Sequence, residues 1–593
     1  MSRALRADYG TVFAAWAVLA AAALPAAARP ASREPKAGAR PNVIIVMSDD
    51  QGYGDFSCHG NPVLKTPNLD QLHNQSVRLL DFHVCPMCSP TRGELLTGVD
   101  ALRNGVTSVT AGRSFIRRDI PTIADIFSAS GYRTAMFGKW HLGDNWPNLP
   151  MQRGFDESVY LKGFNVTSIA DTWNNDYLNG RFFHNGQLQK YPGYCTDVWF
   201  QLGTQWIRKC QDAGEPFLLY LPTNAAHFPY WVPEKYEAPY KHGEPAAFLG
   251  MLSNLDENVG KLLTMLDDSG LAENTILVYL HDNGGFAGVT LYNAGMRGWK
   301  TQYYEGGHRA ACFIRWPDGR LRPAGDVDGL TQVQDLLPTL LDLCGVKPPE
   351  SARFDGVSLA GVLREGAASP PDRTLVVQYG QTPKKYDSAV LWRKWRLVKG
   401  AELYDLATDP GQKKNVAVDH PEILGQMRAH YDSWWREVEP LVNDVIPVSI
   451  GAALENPTRL SGADWLDVYC DNIVDVREGL HKNGTWHVLV EREGTYTFGL
   501  RRWPAEADAA ISAGVPAFHE ALGGRLEAGT ALPIAKARLK IGNFDETVAV
   551  NPQDKQVDFT LPLAAGSRTK LQTWFYDAQG NELCGAYFVY IRR

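Results

Sequence analysis

Between Pro41 and about Gly345, short apolar runs alternate with stretches of helical period, which predicts an α/β layer fold. Asn42 to Met47 (NVIIVM) leaves almost no polar position to face water and reads as a strand buried on both faces. Tyr132–Phe137, Pro216–Leu221 and Thr275–Leu280 have the same character, and Thr122–Ser130 and Phe248–Leu266 predict amphipathic helices between them. After Pro348 the runs shorten, with strands expected at Thr374–Tyr379, Ala389–Trp392 and Trp395–Lys399. A helix from Pro421 to Glu437 follows, its proline in the first turn. From about Gly451 the period changes to two. Trp486, Val488 and Val490 alternate with polar neighbours, Glu493-Gly494 turns the chain, and Tyr496, Phe498 and Leu500 alternate again. Val557, Phe559 and Leu561 repeat the pattern, as do Leu571, Thr573 and Phe575, and then Tyr587, Val589 and Ile591. This is the pattern of a β-sandwich. The expected organisation is a main α/β domain over 41–345, a small α+β subdomain over 346–440 and an accessory β-sandwich over 451–593.

A chain of 593 residues is too long for one ordinary domain, in keeping with that division. With 44% hydrophobic and 21% charged residues it is not a disordered chain. A net charge of −7 argues against a nucleic-acid partner, so an anionic substrate would have to be met by a few local cations. Residues 1–28 read as a secretory signal peptide. Arg3 and Arg6 precede an apolar stretch from Val12 to Leu24, and Ala26-Ala27-Ala28 offers a cleavage site. The expectation is export, periplasmic or extracellular. No later stretch is apolar enough to span a bilayer, so no stable membrane insertion is expected. Nine cysteines are too sparse for a disulfide scaffold, and Cys470 with Cys584, which share the last segment, is the pair expected to bridge.

The chemistry-bearing residues follow the buried strands. NVIIVM runs into Ser48-Asp49-Asp50, and TILVYL into His281-Asp282-Asn283-Gly284-Gly285. The strand ending at Phe137 runs into Gly138-Lys139-Trp140-His141, and PFLLYL is followed by Asn224-Ala225-Ala226-His227. Ligands in α/β sheets bind beyond the carboxyl ends of strands, which is where these groups stand. Asp49, Asp50, Asp282 and Asn283 would form an oxygen-rich cage for a hard cation, Ca²⁺ or Mg²⁺. In Cys88-Ser89-Pro90-Thr91-Arg92, Pro90 marks a helix start and puts Cys88 at an N-terminus that favours anions, with Arg92 one turn in. A cysteine there is compatible with a low-pKa redox thiol or an inert buried residue.

C-x-P-x-R followed by x-x-L-L-T-G resembles the signature of the type I sulfatases of the alkaline phosphatase superfamily. The resemblance extends from Pro41 to about Val438. It takes in MSDDQGYGD, GYRTAMFGKWHLG, QRGFD, HDNGG, RGWKTQYYEGGHR and LYDLATDPGQKKN. It implies an alkaline-phosphatase-like mixed sheet flanked by helices, and a sulfuric ester hydrolase. It also implies that a formylglycine-generating maturation enzyme oxidises Cys88 to Cα-formylglycine, whose hydrate offers one hydroxyl to attack sulfur and a second to expel sulfate. By motif, Asp49, Asp50, Asp282 and Asn283, joined by the residue-88 oxygen, resemble the Ca²⁺ ligands. Arg92 and Lys139 resemble the residues that steady the diol, and His141 the base for its second hydroxyl. His227 and Lys300 resemble the pair that holds sulfate and protonates the departing alcohol.

A sulfated glycan or small molecule is the expected substrate. The alternatives are a phosphoester or phosphonate hydrolase of the same superfamily and, in another class, an inactive glycan-binding protein. His308 and Trp299 depart from the family pattern; His308 reads as structural, with substrate contact the alternative, and Trp299 is a candidate for shaping a substrate subsite. Tyr53, Trp140, Trp146, Trp173 and Tyr292 are candidates for sugar stacking, with core packing the favoured reading. His59, His73, His83 and His184 read as structural.

Overall fold

The computed structural model describes residues 40–240, 245–364 and 369–593, so the expected leader at 1–28 lies outside the described residues. Strand β1 (Asn42–Ser48) is buried along its whole length. Its alternate side chains enter two separate cores. Val43, Ile45 and Met47 join Leu95, Phe127 and Leu336 on one face, while Ile44 and Val46 join Trp199, Leu252 and Leu255 on the other. Helices therefore cover both faces, as an unbroken apolar run requires.

The other strands of this sheet are β2 (Val77–His83), β3 (Arg133–Lys139), β4 (Glu157–Leu161), β5 (Arg181–His184), β6 (Gln187–Lys190), β7 (Phe217–Pro222), β8 (Thr275–His281), β9 (Cys312–Arg315) and β10 (Gly325–Gln332). Their order is β10-β2-β9-β8-β1-β7-β3-β4-β5-β6. The run from β8 to β4 is parallel, whereas β9 runs against both its neighbours and β5–β6 is an edge hairpin. Predicted and observed boundaries of the buried strands agree within two residues. Thr122 is the N-cap of helix Ile123–Ala129, in a capping box with Asp125.

A four-stranded antiparallel sheet follows, made of Thr374–Val377, Ala389–Trp392, Trp395–Val398 and Glu402–Asp405. The helix that packs on it runs Pro421–Val442, five residues past the expected end, because Val438 and Val442 extend its apolar stripe. In the C-terminal segment, a six-stranded and a four-stranded sheet share one core, with Val488, Leu539 and Leu571 from the first and Phe498, Phe559 and Val589 from the second. That core also takes in Phe115, Ile169 and Trp173 from the first segment. Cys470 and Cys584 do not bridge: both are free thiols buried in this core, where apolar packing accommodates them. Among the described residues, no helix is long and apolar enough to cross a membrane.

Candidate active site

In the β1–β8 register Ser48 pairs with His281, so Asp49-Asp50 and Asp282-Asn283 emerge at the same height at the carboxyl end of the sheet. The turn after β1 is clamped by Asp49 N–H donating to the Ala225 carbonyl at 2.8 Å, which brings the His227 loop alongside. Two glycines let these loops close. A Cβ on Gly284 would lie 2.0 Å from the Gly306 carbonyl oxygen, and one on Gly138 (φ +139°) 2.0 Å from that of Pro222. Asp50 (φ 55°) and His141 (φ 58°) hold left-handed backbone conformations without being glycine. Such strain is held in place by the surrounding structure and clusters at functional sites.

Cys88 opens the wholly buried helix Cys88–Thr97, and the Ser89 hydroxyl donates to the His141 carbonyl at 2.7 Å. Arg92, one turn along, donates to Asp282 Oδ2 from Nη2 at 2.7 Å and from Nε at 3.2 Å. Lys139 Nζ meets Asp49 Oδ2 at 2.7 Å, and Lys300 Nζ meets Asp50 Oδ1 at 2.6 Å. Asn283 Nδ2 donates to the same Asp50 oxygen at 2.9 Å, and His227 Nε2 stands 3.6 Å from Asp50 Oδ2. Three acidic side chains thus face three basic ones in a nearly closed space, so each pair is strongly coupled and intolerant of losing one member.

Burial dominates the titration of the site. It pushes Cys88 up to about 11 against the pull of Lys139 and Lys300, so the thiol is not the low-pKa redox group the helix N-terminus allowed. It raises Asp49 to about 8 despite Lys139. For Asp50, burial also pushes upward, but Lys300 and His227 overcome it and hold the carboxyl below its usual range. Asp282 is likewise lowered by Arg92 and Lys139 against burial. Burial depresses His227 to about 3 and His141 well below 6.5, which keeps both rings neutral.

All of the expected site residues converge here. Cys88, Asp50, His141, His227 and Lys300 line a pocket of about 170 Å³. Asp49, Arg92, Lys139, Asp282 and Asn283 are packed behind it, each fully buried. Asp49 Oδ1 and Asn283 Oδ1 are buried without a hydrogen-bond partner, as are both ring nitrogens of His141. Two orphaned hard oxygens beside the Asp50 and Asp282 carboxylates fit a Ca²⁺- or Mg²⁺-type ion, which takes oxygen ligands from carboxylates and amides.

The candidate aromatics do not line the pocket. Trp140 is core, with its N–H on the Asn148 carbonyl, Trp173 packs on Trp503 and Tyr53 stacks on His59. His308 faces inward onto His83, Nδ1 to Nδ1 at 2.9 Å, and not the pocket. The wall is built instead by Phe164, Phe228, Phe286, Tyr469 and Asp471, which sequence reasoning missed. Phe228 was findable in principle, one residue after His227; Asp471 carried no local signal.

A sulfatase family model matches residues 41–346. N-acetylgalactosamine-6-sulfatase of Canis lupus familiaris is 29% identical over 367 residues, covering 58% of this chain and 69% of that protein. Arylsulfatase G of Homo sapiens is 31% identical over 381 residues, covering 57% and 71%. Among solved structures, Ps i-CgsB in complex with k-i-k-neocarrahexaose matches with a TM-score of 0.60 and 26% identity, over 69% of this chain and 94% of that one. The mixed sheet with helices on both faces is the alkaline-phosphatase-like fold of these relatives.

Proposed function

This chain belongs to the sulfatase family and is a sulfuric ester hydrolase; from that premise we propose that its substrate is a carbohydrate sulfate, that its nucleophile is a Cα-formylglycine made from Cys88, and that a Ca²⁺ ion held by Asp49, Asp50, Asp282 and Asn283 assists. The observation that carries this reading is Cys88 at a buried helix N-terminus, its thiol pushed up to about 11, among cations and an unpartnered histidine. A neutral buried thiol is a poor nucleophile, whereas a hydrated aldehyde at that position presents two hydroxyls. When bound, the cation supplies positive charge that polarises the sulfate oxygens.

The protein's own groups then divide the work. Arg92 and Lys139, fixed by Asp282 and Asp49, steady the diol. One diol hydroxyl attacks sulfur as its proton passes to the ionised Asp282 beside residue 88, and the bond to the alcohol oxygen breaks. Lys300, kept charged beside Asp50 despite its burial, hands the departing oxygen its proton, and the neutral His227 helps to hold the sulfate. His141, neutral and with both ring nitrogens free, takes the proton of the second hydroxyl as the carbonyl re-forms and sulfate leaves. Water then restores the hydrate. The carbohydrate assignment is supported by the names of relatives, an N-acetylgalactosamine-6-sulfatase and a neighbour solved with a carrahexaose. Residues 1–28 are proposed to direct export, and a maturation enzyme to oxidise Cys88.

The test is the mass of the peptide Leu79–Arg92 from protein made in its native host, with sulfate release from sulfated sugars. We expect the thiol replaced by an aldehyde or its hydrate, and release abolished in Cys88→Ala. An unmodified Cys88 in active protein, or phosphate esters outpacing matched sulfate esters, would overturn the reading.

A further inference from the structure

Resting on that reading for the reaction itself, we propose that the C-terminal sandwich completes the active site, with Asp471 and Tyr469 forming the subsite for a neutral, hydroxyl-bearing sugar ring that carries the sulfate. The sandwich strands, from Val448 to Arg592, lie outside the 41–346 family match, yet the loop between strand Thr458–Ser461 and helix Ile473–Glu478 reaches the pocket that holds Cys88 and His141.

The loop is held by main-chain hydrogen bonds across the junction. Ala111 N–H donates to the Ala463 carbonyl at 2.6 Å, Ile169 N–H to Asp471 at 2.8 Å, and Ile473 N–H to Thr167 at 2.9 Å. The Arg459 guanidinium donates to the carbonyls of Ile169, Ala170 and Asp171 at 3.1–3.3 Å. Ile169 and Trp173 are embedded in the sandwich core itself. A wall fixed in this way is preorganised, as a specificity site needs to be.

Asp471 is 5% exposed and lines the pocket, where burial favours the neutral form of its carboxyl group, and that group makes no hydrogen bond to any described residue. A nearly buried carboxyl group without a partner is costly, and a ligand hydroxyl relieves that cost. The second observation is aromatic. Among the described residues, the exposed large aromatics are Phe228, Phe286, Trp299 and Tyr469, at 39%, 48%, 45% and 51%. Three of them line this pocket, and Trp299 adjoins Lys300. Rings with one open face suit the apolar face of a sugar, and a carboxyl group beside them suits its hydroxyl edge. An aryl ester would use the rings and leave Asp471 unpaired, whereas a polyol satisfies both.

The experiment compares wild type with Asp471→Asn, Asp471→Leu and Tyr469→Ala. The substrates are 4-methylumbelliferyl sulfate and a panel of monosulfated neutral hexoses and N-acetylhexosamines. The Asp471 variants should lower the ratio of kcat/KM on the best sugar to kcat/KM on the aryl ester by about 10–100-fold, chiefly through KM, with the melting midpoint held. A ratio unchanged in both Asp471 variants, or a wild type that prefers the aryl ester to every sugar, would overturn the proposal. If wild type releases sulfate from nothing, the sulfatase reading falls on its own. Calorimetric titration of the same sugars into Cys88→Ala and Cys88→Ala/Asp471→Leu then decides the subsite. Binding lost only in the double variant upholds it, and equal binding or none in either refutes it.

Discussion

Arg396 joins the four-stranded sheet to the main one, and its removal tests whether the small subdomain supports the active site. It is buried on strand Trp395–Val398, donates from Nε to Glu305 Oε1 at 2.7 Å and from Nη2 to Asp81 Oδ1 at 2.7 Å. Burial pushes Glu305 up, but Arg396 and then His83 overcome it and hold the carboxyl at about 2. In Arg396→Met, the fully buried Glu305 side chain keeps Arg309, at 3.4 Å, as its remaining ion-pair partner. Breaking a buried pair from one side costs about 3–5 kcal/mol. For a unit of this size that is a fall in melting midpoint on the order of 5–10 °C by differential scanning calorimetry. Activity falls as well, because the Gly307 carbonyl, two residues from Glu305, accepts the Gly284 N–H at 2.9 Å beside Asn283. The sign with pH follows from the lowered Glu305 pKa. Its contribution is present above the unfolded value of 4.5 and is lost as pH falls toward about 2. The gap between wild type and variant should therefore narrow below pH 4.5. A midpoint within about 1 °C of wild type, or a gap indifferent to acid, would refute the assignment of this pair as a structural clamp.

Chelating divalent cations should lower the midpoint, and Ca²⁺ at a hundredfold excess over Kd should raise it again, the added stability being about 2.7 kcal/mol. Asn283→Leu, which removes one of the two orphaned oxygens, should lose that response in the same melting assay. Gly284→Ala forces a Cβ to 2.0 Å from the Gly306 carbonyl and so displaces Asn283; kcat for sulfate release should fall by on the order of 100-fold, a small loss showing that the loop can shift freely. His308, lowered by burial from 6.5 to about 3, binds a proton in the unfolded chain but not in the fold between those values. Wild type should thus lose about 1.4 kcal/mol per pH unit relative to His308→Gln on acidification below pH 6.5, followed by urea unfolding at stepped pH.

The main sheet was legible because its strands are buried on both faces, and NVIIVM and TILVYL carry that in every residue. Their register was not legible, yet it is the pairing of Ser48 with His281 that turns two separate acid-bearing turns into one cage. Asp49, Asp50, Asp282 and Asn283 were readable because they follow strand ends, whereas Cys88, Arg92 and Lys300 were readable only through the family motif. What they do to one another was not. The neutral Cys88 thiol, the free His141 ring and the balance of three acids against three cations come from distances that spacing does not encode. The hairpin β5–β6 escaped because β6 is exposed throughout and β5 is four residues long, with Phe182 alone fully buried.

The pocket wall escaped for a different reason. Alternation along Trp486–Val490 reports that one face of a strand is buried, but it is silent on what the loops at the sheet edge touch. Residues 462–473 have no period of either kind. Their conformation is set by hydrogen bonds to Ala111, Thr167 and Ile169, some three hundred residues earlier in the chain. Local patterning therefore presents the sandwich as an appendage. Its core, which takes in Phe115, Ile169 and Trp173, makes it continuous with the catalytic unit instead. Deleting the sandwich would strip the cover from those three side chains and open the pocket on the side of Asp471. A chain ending before Val448 is therefore expected to lose stability and sugar-sulfate turnover together, rather than only an affinity for glycan.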